Sequence, residues 1–279
     1  MKKLLILSTI IVAVMALISC TATMNILPKS ILIDDSHNNQ FGYVDENFFA
    51  TMINTLEGEN YQVDFTSDVG FSPDQYDILI IPTPVSLYSN TEINQVKSFV
   101  QNGNKIIVLG EFYSYYDNSE LNYILNQVGA DMQFDNSLIT DSVNNYDNND
   151  EWPEISLFTP HPTTDSLNSI VLFAASSLNV FGDAIKIAES SSINLVETFD
   201  SSTFNESGLK AGLMENQDYD SQTTAYVSVA AVDKIGNGKV VAVTDVNLFS
   251  DDVDDFFPSL DSMLNVADNK DFLINIVNW

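Results

Sequence analysis

A chain of 279 residues with 39 acidic and 10 basic side chains, net charge −29, is unsuited to nucleic acid, because one polyanion gains no counterion-release energy from another. All ten basic residues are lysines, so the bidentate guanidinium fork that phosphate sites usually employ is missing. Hydrophobic residues at 45% and aromatic residues at 11% exclude a disordered chain and suit one large α/β domain or two small ones. The acidity itself reads either as a solvated exterior or as a preference for a cationic partner, such as Ca²⁺ or a basic protein.

Lys2 and Lys3 precede an apolar run from Leu4 to Ile18, followed by Ser19 and Cys20. This has the shape of a secretory leader, and the run is short for a membrane span of about 20 residues. Leu17-Ile18-Ser19-Cys20 resembles the lipobox of bacterial lipoproteins, and Cys20 is the single cysteine of the chain. The resemblance implies a signal peptide over residues 1–19, lipidation of Cys20, a tether over 20–29 and a folded body over 30–279. It places the protein in the cell envelope, held outside the cytoplasmic membrane by lipid. An uncleaved anchor with an incidental cysteine is the competing reading. With Cys20 acylated, no thiol remains for a disulfide, a nucleophile or a thiolate metal site.

The body opens with a strand at Ser30–Asp34 and a loop through Asp35 and His37 to Gly42. Asp45 is placed to cap a helix burying Phe48, Phe49, Met52, Ile53 and Leu56, and Tyr61–Phe65 alternates as an edge strand. The clearest unit is Asp77–Glu111. Its apolar runs Ile78–Ile81 and Ile106–Leu109 suit strands buried on both faces of a parallel sheet. Between them Ile93, Val96, Phe99 and Val100 mark one face of a helix, opened by the capping box Ser89-Asn90-Thr91-Glu92 and stopped at Asn102-Gly103. A parallel βαβ crossover is right-handed, which points to an α/β sheet.

An aromatic loop, Phe112–Tyr116, follows, then a helix over Ser119–Val128 and an Asp/Asn-rich excursion over residues 135–151. Strands are expected at Ile170–Phe173, Ala184–Ala188 and Asn194–Thr198. Tyr226–Val232 and Lys239–Thr244 form a hairpin around Gly236-Asn237-Gly238, and a helix capped by Asp268 or Asn269 closes the chain.

Four stretches in this order resemble the class I glutamine-amidotransferase-like, flavodoxin-like domains: Ile31–His37, Thr91–Glu111, His161–Phe173 and Gly236–Asp252. More narrowly they are similar to a branch that includes domains of gliding-motility ABC-transporter accessory proteins and the N-terminal domain of an intraflagellar transport protein. The resemblance implies a mostly parallel α/β sheet with helices on both faces and a C-terminal antiparallel hairpin. Related enzymes carry a cysteine nucleophile just after the strand corresponding to Lys105–Leu109. Gly110-Glu111-Phe112 stands there instead, so the resemblance implies a non-catalytic binding or assembly module, working alone or beside an ABC transporter or surface system.

Ligands of an open parallel sheet bind beyond the carboxyl ends of its strands, where Asp35, His37, Glu111 and Asp245 fall. They form a candidate crevice for an envelope protein or a glycan, or they are strand-end caps and solvated acids. A carboxylate pair could serve a carbohydrate-active hydrolase, the alternative function. Exposed tyrosines of the Phe112–Tyr116 loop could stack on sugars, or its rings simply cover the sheet end. Two acid-rich stretches, Asn145–Glu151 and Asp251–Asp255, suit Ca²⁺ by ligand type but lack the central glycine of an EF-hand, so no metal ligand and no cofactor is assigned.

Overall fold

The computed structural model describes residues 28–43, 47–191, 195–198, 221–224, 226–251 and 260–279, with 195–198 and 221–224 described as backbone. Cys20, the leader, Asp45 and residues 252–255 of the second acid-rich stretch lie outside them.

Five parallel strands make the centre: β1 (Lys29–Ile33), β2 (Tyr61–Phe65), β3 (Ile78–Pro82), β4 (Lys105–Leu109) and a late strand, Gly238–Val243, in the order β2-β1-β3-β4-late. The order reverses between β1 and β3, which is the flavodoxin-like switch point. Each central strand alternates its apolar side chains between two faces. Ile31, Ile33, Ile78, Ile80, Ile107 and Leu109 pack with helix α1 (Ala50–Gly58) and the closing helix Asn269–Asn278. Leu32, Leu79, Ile81, Ile106 and Val108 pack with α2 (Asn90–Gln101) and α3 (Ser119–Val128). The sheet is therefore covered on both sides, as expected.

Local chemistry explains the helix ends. Ser89 and Glu92 form the expected capping box, and the helix stops with Gly103 at φ 99°. Gly129, at φ 85°, ends α3 in the left-handed conformation. The antiparallel strand Ser228–Ile235 pairs with Gly238–Val243, extending the sheet as the predicted hairpin. Gly238 is required there: a Cβ would sit 2.0 Å from the Val100 carbonyl oxygen.

Some expectations shift. Helix α1 starts at Ala50 with Phe49 as its N-cap and no side-chain cap bond. Residues 135–151 are not purely a surface excursion: Ser137–Thr140 is a strand, with Ile139 fully buried. Its Leu138-Ile139 pair was too short to stand out among the surrounding Asp and Asn. Asp268 is the N-cap residue of the closing helix, as expected, but its side chain makes no cap bond and instead accepts from the Asn168 and Ser169 amides at 2.6 and 3.2 Å, pinning the strand region before Ile170. At the opposite end of that helix, buried Lys105 donates to the carbonyls of Ile276 (2.9 Å) and Val277 (2.7 Å). A cation on the last-turn carbonyls satisfies orphan acceptors and complements the helix dipole.

Candidate functional site

The carboxyl edge of the parallel strands is formed by Asp34–His37 after β1, Thr83–Val85 after β3, Gly110–Phe112 after β4 and Thr244–Asn247 after the late strand. The predicted site residues lie along it, in two separate clusters.

The first cluster sits at the switch point. Asp34 is fully buried, and both its oxygens meet the Nδ1 of His37, at 3.0 and 2.8 Å. Thr66 Oγ1 and Ser36 Oγ each donate to Asp34 Oδ1 at 3.0 Å, and the Tyr88 hydroxyl donates to Oδ2. Tyr88 also stacks on the imidazole, centroids 3.7 Å apart and planes at 4°, while Phe71 meets it edge-on. The other ring nitrogen, Nε2, lies 3.7 Å from Glu92 Oε1. Burial pushes His37 down, but the bond and charge of Asp34, with Glu92 adding, outweigh it and hold the imidazole above its ordinary value. Burial likewise pushes Asp34 up, and His37, Tyr88 and Thr66 together hold it below the usual carboxylate value. The two are an ion pair. An imidazole held charged between two carboxylates is a poor general base, and Ser36 gives its hydroxyl to Asp34 rather than to His37.

Asp35, the predicted neighbour, faces outward from this cluster. It accepts from the Ser67 amide (2.7 Å) and from the hydroxyls of Ser67 (2.5 Å) and Thr66 (3.0 Å), fixing the single helical turn Thr66–Val69. Next to β1, Thr83 adopts φ 36°, a costly conformation for a β-branched residue. Its amide bonds the Leu109 carbonyl (3.1 Å), its carbonyl receives the Gln40 amide (3.0 Å), and its hydroxyl pairs with Tyr43. Strain at the switch point is thus held in place from three sides.

The second cluster is a carboxyl pair. Glu111 and Asp245 are both fully buried. Asp245 accepts from the amides of Phe173 (2.5 Å) and Asn247 (2.8 Å). Glu111 accepts from the Phe112 amide and from Asn247 Nδ2, each at 2.8 Å. Burial, with the charge of Asp245 added, raises Glu111 well above the usual range; burial lifts Asp245 to about 7 against its backbone bonds. Two like charges in one dry site cannot both ionise cheaply, so the pair keeps a proton at neutral pH. The better-solvated anion is Asp245, and the proton belongs on Glu111. A pair that works on a glycosidic bond must reach the sugar, and neither carboxyl has any exposed surface.

Above this pair opens a cavity of about 230 Å³ with Phe41, Phe112, Tyr115, Trp152 and Phe173 in its wall. Asn149, Glu151 and Asn247 are its polar members. Of the predicted aromatic loop, Phe112, Tyr113 and Tyr116 are buried and cover the sheet end, while Tyr115 is 54% exposed at this cavity. Asn247 links the two levels, lining the cavity while holding Glu111. Among the described residues no three acidic, imidazole or thiol side chains gather as a metal site. In the Asn145–Glu151 stretch, Asn145 donates to the Asp141 carbonyl (2.7 Å) and Asn149 accepts from the Glu151 amide (3.1 Å), so both serve the turn.

Sequence reasoning missed Tyr88, Glu92, Thr66 and Asn247. Glu92 was visible only as half of a capping box. Tyr88 and Thr66 reach Asp34 from positions 54 and 32 residues away, with no local pattern to betray them.

No family model matches the chain, and no curated protein matches it. Among solved structures the chain is similar to the mmIFT52 N-terminal domain, with a TM-score of 0.64 and 13% identity over 90% of this chain and 96% of that one. It is also similar to the cytoplasmic protein STM1381 of Salmonella typhimurium LT2, with a TM-score of 0.51 and 12% identity over 90% and 98% of the two chains. A ThuA-like protein from Bacteroides uniformis gives a TM-score of 0.48 and 14% identity over 93% and 94%. At these identities the first two likenesses are of fold. The flavodoxin-like architecture expected from the sequence stands, and the expected similarity to an intraflagellar transport N-terminal domain holds at that level.

Proposed function

We propose that this chain is a non-catalytic binding module of the cell envelope, tethered through a lipidated Cys20, which engages its partner with the carboxyl edge of its sheet. The observation that carries this reading is the fate of the position after β4. Where the enzymes that the sequence resembles keep an accessible cysteine, Glu111 is buried, held above the usual carboxylate range by that burial and tied to Asn247, which builds a floor rather than a nucleophile. His37 supports the same reading, since an imidazole clamped between Asp34 and Glu92 stabilises the switch point and has no hydroxyl to activate. Partner contact then falls to the exposed Tyr115 and Glu151 at the cavity, with the half-buried Asp35 beside the first cluster. A partner in an envelope transporter or surface system and the lipid anchor are parts of this proposal.

Affinity capture from native envelope with the acylated protein tests it. Capture of a defined partner should fall at least fivefold for Tyr115→Ala and stay unchanged for Lys234→Ala, at the opposite end of the sheet. Equal capture by both variants overturns the assignment of the edge. Mass spectrometry that finds Cys20 unmodified or the leader retained overturns the address.

A further inference from the structure

The aromatic cavity has features that narrow its ligand. Five rings contribute to a wall around about 230 Å³, room for one small head group rather than for an extended chain. Among the described residues no lysine or histidine lines it, and Lys29, Lys105 and Lys239 stand at the amino-terminal ends of β1, β4 and the late strand, away from the carboxyl edge. Glu151 sits exposed at the cavity, Asp245 lies beneath its Phe173 wall, and the whole chain carries −29. An anionic ligand would meet repulsion with no cation to receive it. A neutral sugar would find polar partners, since Asn149 keeps its Nδ2 and Asn247 its Oδ1, but it would leave the charge of Glu151 unanswered. Aromatic rings with an acid alongside attract an organic cation through the ring quadrupole and through plain charge.

We propose that this cavity binds a small organic cation, an alkylammonium or quaternary ammonium head group, with the exposed ring of Tyr115 as the cation–π surface and Glu151 as the counter-charge. This rests on the reading of the sheet edge as a contact site and adds the chemical class of what it receives. Such a head group is found on free small molecules and on larger partners alike, and the ammonium chemistry is common to both.

The test is titration calorimetry on the purified full-length chain in nonionic detergent with three probes. These are choline, its uncharged isostere 3,3-dimethylbutan-1-ol, and glucose. Choline should bind saturably, and the uncharged isostere about tenfold more weakly or worse, the difference being charge alone. Choline binding should weaken about fivefold in Tyr115→Ala and in Glu151→Gln, both exposed positions whose unfolding temperature serves as the folding control, and should weaken with added salt. Absence of saturable choline binding, equal binding of the isostere, or preference for glucose each overturns the cation assignment. If choline fails while envelope capture is still lost in Tyr115→Ala, the binding-module reading survives without this ligand class. If capture is also insensitive to Tyr115→Ala, both fall.

Discussion

Two buried clusters share one edge of the sheet and solve the same electrostatic problem in opposite ways. Around Asp34 the burial of charge is met by a partner of opposite sign, His37, and by three hydroxyls. Around Glu111 and Asp245 no cation is present among the described contacts, and burial raises both carboxyls toward their protonated forms. The difference shows that a buried acid in a fold of this kind is not by itself a reactive group. What it can do is set by the charge opposite it.

Their pH dependences differ on the acid side, where only the first cluster loses stability. Asp34 lies below 3.8 and His37 above 6.5, so the first cluster contributes stability that is lost as pH falls through the depressed Asp34 value or rises through the elevated His37 value. The second cluster holds a proton that the unfolded chain would release. Its contribution is complete below about 4 and is lost as pH rises through about 7.

The largest expected effect breaks the first cluster. Asp34→Ala leaves the buried His37 imidazole and the buried Tyr88 hydroxyl without their acceptor, and urea unfolding at pH 6 should show a loss of about 3–5 kcal/mol. Tyr88→Phe removes one donor to Asp34 while keeping the ring stacked on His37, and should cost about 1–3 kcal/mol in the same assay. Glu111→Gln imitates the protonated acid. At pH 8 this variant should be more stable than the parent by about 1–3 kcal/mol, and below pH 5 the two should coincide. A Gln variant with the parent's pH profile would show that the pair does not share a proton. The smallest effect sharpens the contrast between buried and exposed parts of the edge: Tyr115→Ala should change the unfolding free energy by no more than about 0.5 kcal/mol.

Much of the architecture was legible because its signals are local. The runs Ile78–Ile81 and Ile106–Leu109, the box at Ser89 and Glu92, and the stop at Gly103 each act within a few residues, and each stands where it was expected. The small strands were less legible, as with Ser137–Thr140, because four residues carry little periodic signal and pairing with a distant strand stabilises them. The candidate site was half legible. The position of strand ends gave Asp35, His37, Glu111 and Asp245, while the partners that fix their chemistry come from elsewhere in the chain.

By itself the sequence determined the covered parallel sheet, since its strands are apolar on both faces and its helices on one, and it determined that acids would gather where those strands end. It also left the folded body without a thiol, by placing no cysteine beyond position 20. Only the tertiary structure decided which acid met a cation and which met another acid. Asp34 received Tyr88 from 54 residues away, and Glu111 received Asn247 from 136 residues away. Charge states follow from such distant encounters, because the energy of a buried charge depends on what packs against it in space and not on its neighbours along the chain.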